Sequence, residues 1–78
     1  MKKEDFYIQL HEFLEVKSVP VFDDSTIIKT IEEFDSMMIL TIIAFVDQEF
    51  NKTLSADLLN SIQSVEDLRN LIGLENFS

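Results

Sequence analysis

Few side chains in this sequence have both the type and the setting for chemistry. Ser36, in Asp35-Ser36-Met37, places a hydroxyl where a long polar stretch gives way to an apolar helical run, and a side chain at a helix start projects into solvent. Asp and Ser are also the residues that cap helices, a role worth about 1 kcal/mol, so capping alone accounts for the pair unless its setting says more. His11 has no second His and no Cys to work with, which makes it a solvated or partly packed imidazole rather than a ligand or a base. Asp23-Asp24 and Glu32-Glu33 carry charge enough for a divalent ion, but acidic pairs in a loop are ordinarily solvated. No nucleophile is paired with a base, so catalysis is not expected.

The elements that must position Ser36 are helices. Phe6, Leu10, Phe13 and Leu14 recur on one face and predict a first helix over about residues 3–16. Pro20, flanked by Val19 and Val21, stops it, and a long connection runs to Asp35. Unstructured connections of this length are uncommon in compact domains, so Ile27, Ile28 and Ile31 are expected to pin it through a short turn from Ser25 or Thr26. Its acidic pairs are expected to stay in water.

A second helix is expected over 36–50, capped by Asp35 or Ser36, with Ile39, Ile43, Val46 and Phe50 turned to the core. Met37, Thr41, Ala44 and Gln48 form its outward stripe; Met38 and Phe45 lie on its flank, either packed under a neighbour or facing a partner. From Met37 to Val46 only Thr41 is polar, yet this run is about half the length needed to span a bilayer. A short third helix over about 55–61 brings Leu58, Leu59 and Ile62 inward. The last, over 64–72, has a capping-box spacing in Ser64-Val65-Glu66-Asp67, an apolar face of Val65, Leu68, Leu71 and Ile72, and Gly73 at its end. Residues 74–78 are expected to fray. The fold class is therefore all-α: a four-helix bundle in one domain, 1–78, with a long loop between the first two helices.

Composition agrees. The 78 residues are 46% hydrophobic, with seven Phe, one Gly and one Pro, and a chain of this size buries only about 60% of its unfolded surface, which favours a compact bundle. The absence of Cys excludes a disulfide framework and any thiol supplied by the polypeptide. A formal net charge of −9 disfavours nucleic acid and anionic membrane surfaces and favours partners with basic surfaces, although solubility explains the charge equally well. Met1-Lys2-Lys3 is followed at once by Glu4-Asp5, which does not fit a secretory signal, so a cytoplasmic location and a monomer are expected.

Asp35-Ser36-Met37 opening the second helix, Asp47-Gln48-Glu49-Phe50 closing it, and the spacing onward to Ser64-Val65-Glu66-Asp67-Leu68 together resemble the acyl carrier protein family over nearly the whole chain. The resemblance implies a 4′-phosphopantetheine group attached to Ser36, leaving a phosphodiester where free N–H groups and the helix dipole favour an anion. It implies an acyl or aminoacyl cargo held as a thioester and presented to loading, condensing or transferring enzymes of fatty-acid, polyketide, peptide or D-alanine pathways. It further implies that Asp35 helps a phosphopantetheinyl transferase place its metal and coenzyme A, and that Met37, with Met38, Thr41 and Ala44, meets partners. A fatty cargo would slip between helices lined by Ile39, Ile43, Phe50 and Ile62.

Two departures bear on the pathway. Phe34 stands where the bacterial fatty-acid carriers have a Gly-containing turn, and Met38 and Thr41 stand where carboxylates are common. Contact near the arm is thus expected to be more apolar, as suits a dedicated carrier serving one set of enzymes. The alternative is an unmodified acidic helical module that docks a partner through Met37, Met38 and Ala44.

Overall fold

The computed structural model describes all 78 residues, and its architecture is entirely helical. Helix α1 spans Lys3–Leu14. Glu4 and Asp5 in its first turn complement the helix dipole. It stops short of residue 16 because Glu15 takes a left-handed conformation (φ 54°), with its N–H on the Glu12 carbonyl, and this turns Val16 into the core. Phe6 and Leu10 are fully buried, whereas Phe13 stays partly exposed, edge-on to Phe45 at 5.2 Å between ring centroids.

The long connection is pinned, as its isoleucines predict, but by a 3₁₀ turn at Ile28–Thr30. Ile28 and Ile31 are buried with Phe22. Ile27 is not, because it lies in extended backbone where consecutive side chains point oppositely. The loop runs against the start of the last helix: Ile28 N–H donates to the Gln63 carbonyl (2.8 Å), and Thr26 accepts from Val65 N–H (2.9 Å). Ile27 and Ser64 thereby form an isolated antiparallel bridge.

Helix α2 spans Ser36–Phe50 and ends at Asn51, again left-handed (φ 53°). Its core face is Met38, Ile42, Phe45 and Val46, turned by about one residue from the expected stripe. Ile39, Ile43 and Phe50 pack only partly, at the margins of the core. The helix is apolar on nearly every side, so periodicity alone fixes its existence but not its rotation.

Helices α3, Ala56–Ser61, and α4, Val65–Ile72, follow. Ser55 caps α3 by accepting from Leu58 N–H; Leu59 and Ile62 turn inward while Leu58 faces outward. The capping box of α4 is present as read, with Ser64 Oγ accepting from Asp67 N–H and the Asp67 carboxylate accepting from Ser64 N–H, each at 3.1 Å. Gly73 closes α4 at φ 109°, a conformation that disfavours a side chain.

The tail is docked rather than frayed. A 3₁₀ turn at Leu74–Asn76 brings Phe77 edge-on to Phe6 at 5.2 Å, and Ser78 N–H reaches the Met1 carbonyl. No helix is long and apolar enough to cross a membrane.

Candidate functional site: the start of helix α2

Two anchors set the approach to Ser36. Ile31 is buried and Phe34 packs partly on the core, with its N–H on the Ile31 carbonyl at 3.0 Å. Asp35 follows in fully extended backbone, and its carboxylate accepts from Met38 N–H at 2.8 Å. Asp35 is therefore the cap. Ser36, the first residue inside the helix, is exposed, and its hydroxyl is left out of the capping bond. The first four N–H groups of a helix lack intrahelical acceptors. Asp35 satisfies that of Met38, which leaves the Ser36 and Met37 amides without an intrahelical acceptor beside the Ser36 hydroxyl.

The outer surface of α2 is apolar. Met37 is 64% exposed and Leu40 57%, and Ala44 is exposed one turn further on. Thr41 is half-buried, and its hydroxyl donates back to the Met37 carbonyl at 2.8 Å, which occupies its donor. Met38, expected among the partner-facing residues, is only 5% exposed and belongs to the core, as does Phe45. The turn of about 100° per helical residue carries Met38 from the outward face of Met37 into the core. Leu40 was missed by the sequence reading, although its i+3 spacing from Met37 and i−4 spacing from Ala44 places it on their stripe.

The other acidic candidates are structural. Asp24 is only partly in water: Arg69 forks onto it from α4 with bonds of 2.9 and 2.8 Å, and the Tyr7 hydroxyl donates to the same carboxylate. Those bonds, that of Arg69 foremost, hold the Asp24 carboxyl below the usual range, while burial and then Asp24 push the Tyr7 phenol up to about 12. Asp23 closes a local turn onto Ser25 and Thr26. Glu33 bonds the main chain beyond α1. No group of three or more His, Cys, Asp or Glu is placed to hold a metal ion. His11 packs edge-on to Phe22 at 5.0 Å, with Nε2 against the Val19 carbonyl.

No cavity is lined by the residues expected to flank a cargo: Ile39, Ile43 and Phe50 pack partly against the core, Ile62 is buried within it, and none of them borders a groove. A groove of about 230 Å³ lies between α1 and Pro20-Val21-Phe22 and has no residue of α2 in its wall. The chain matches no protein-family model, no curated protein and no solved structure.

Proposed function

We propose that this chain is a carrier of the acyl-carrier type: a four-helix bundle, without catalysis of its own, that bears 4′-phosphopantetheine on Ser36. The single observation that carries the reading is the exposed Ser36 hydroxyl on the first turn of α2, with the cap supplied by Asp35. The residues present fit the group. A phosphodiester on the Ser36 Oγ would lie beside first-turn N–H groups, at the positive end of a helix of 15 residues. When attached, the group supplies the thiol that a Cys-free chain lacks.

The chain's own residues do three things in this account. Asp35 fixes the helix start, Ser36 offers the attachment oxygen, and Met37, Leu40 and Ala44 give a partner an apolar surface next to it. The net charge of −9 favours enzymes with basic docking faces, and the apolar stripe favours a dedicated set of them over general fatty-acid enzymes. A monomer acting in the cytoplasm is the setting proposed for it. The same stripe supports the second reading, an unmodified module that docks one partner through Met37, Leu40 and Ala44.

Incubation with coenzyme A and a broad-specificity phosphopantetheinyl transferase, read by intact mass, separates the two. The carrier reading expects one phosphopantetheine increment that disappears in Ser36→Ala. The module reading expects no adduct, and partner binding indifferent to Ser36→Ala.

A further inference from the structure

Among the carboxylates that accept main-chain N–H groups, Asp23, Asp35 and Asp67 serve residues within four of themselves, whereas Glu33 reaches residues 16 and 15 away. It accepts from the N–H of Lys17 at 2.7 Å and of Ser18 at 3.1 Å, and its second oxygen accepts from the Ser18 hydroxyl. The donors belong to the segment that leaves α1, whose direction is set by left-handed Glu15 and by Val16 in the core. Glu33 itself stands between buried Ile31 and core-packed Phe34, two residues ahead of the Asp35 cap. The carboxylate thus ties the two ends of the long connection together at its neck, immediately before Ser36.

The rest of the loop is fastened elsewhere and by other means. Asp24 is locked to Arg69, and the backbone around Thr26 and Ile28 pairs with Gln63 and Val65. Those bonds accompany buried side chains and belong to the stable part of the fold. The neck consists of hydrogen bonds at the surface, the class of contact that opens at low free energy. It adds a surface fastening to the segment that Ile31 and Phe34 already anchor ahead of Ser36. Both main-chain N–H groups share one carboxylate oxygen and the Ser18 hydroxyl takes the other, so a Gln amide could still serve all three partners, and only removal of the acceptor, as in Glu33→Ala, releases the neck.

We propose that Glu33 is a positioning residue for modification at Ser36: seated on Lys17 and Ser18, its carboxylate sets how Asp35-Ser36-Met37 is offered to the transferase. This inference rests on the carrier reading and adds a residue to it. Because Glu33 is bonded to Lys17 and Ser18 and not to the Ser36 hydroxyl, its loss is expected to alter docking of the carrier rather than the transfer step. A displacement near the site from a remote change lowers efficiency by about tenfold or more.

The test compares wild type, Glu33→Ala and Ser18→Thr, the last keeping the hydroxyl and both main-chain donors. Amide hydrogen exchange is followed at Phe34 and Met38, with Leu68 as the core reference, and transferase kinetics are measured against carrier concentration. The expected result for Glu33→Ala is faster exchange at Phe34 and Met38, unchanged exchange at Leu68, and a KM for the carrier raised about tenfold at nearly constant kcat. Ser18→Thr is expected to match wild type. Unchanged exchange in Glu33→Ala overturns the proposal, and so does altered exchange with an unaltered KM. A wild-type chain that takes no adduct overturns the carrier reading and the role of Glu33 together, and is distinguishable because only then does the wild type fail to load.

Discussion

Replacing Asp24 by Ala removes one side chain and strands two others. Arg69 loses both bonds of its fork, and the Tyr7 hydroxyl loses its acceptor. The Arg69 side chain is 11% exposed and the Asp24 side chain 29%, so the variant leaves a largely buried guanidinium without its counter-charge. Breaking a fully buried pair costs about 3–5 kcal/mol. Solvent reaches the Asp24 side of this one, and stacking of Arg69 over Phe77 at 5.3 Å survives, which brings the expected loss to about 2–3 kcal/mol. For a domain of this size that is a fall in Tm of about 10–20 °C, readable by far-ultraviolet circular dichroism. Asp23→Ala is the matched control, since Asp23 serves only its own turn, and it is expected to melt close to wild type. An Asp24→Ala protein as stable as Asp23→Ala would refute the reasoning, because it would show that Arg69 and Tyr7 are satisfied by water and that the loop docks without them.

The same network predicts an alkaline limit. The Tyr7 phenol titrates near 10 when unfolded and about 12 when folded, so its contribution is complete below pH 10 and is lost as pH rises through 12; Tyr7→Phe should flatten Tm against pH across that window. Met38→Ala is expected to lower unfolding free energy in urea by about 2–4 kcal/mol, against about 0.5 kcal/mol or less for Met37→Ala, which reverses if Met37 is the buried one. Gly73→Ala forces a side chain into φ 109° and is expected to destabilise by about 1–3 kcal/mol in thermal melts, whereas a neutral result would mean that the α4 terminus relaxes freely.

What the sequence disclosed depended on how local each signal is. The start and end of α4 were readable because the Ser64 to Asp67 box and Gly73 act within four residues of themselves. The position of Ser36 was readable for the same reason, since a cap is a local event. The rotation of α2 was not: with apolar residues on nearly every side, the choice between Ile39 and Met38 for the core is made by α1 and α3, not by α2 itself. Arg69 and Asp24 are 45 residues apart, and nothing near either one marks the other, so Asp24 reads as solvated charge until the fold brings them together. Phe77 beside Phe6 is a meeting of the two chain ends, equally invisible to periodicity. Of the candidate site, the place of the hydroxyl was legible, but the cap stayed open between Asp35 and Ser36 until the fold assigned it to Asp35; Met37 and Ala44 were read outward, Thr41 is half-buried, and Leu40 was missed.

The central claim is that Ser36 is an attachment point. It is tested most directly by the intact mass of the chain after incubation with coenzyme A and a phosphopantetheinyl transferase, alongside Ser36→Ala. A single phosphopantetheine increment is expected on the wild-type chain and none on the variant. An unmodified wild-type chain, or an increment that persists in Ser36→Ala, would contradict it.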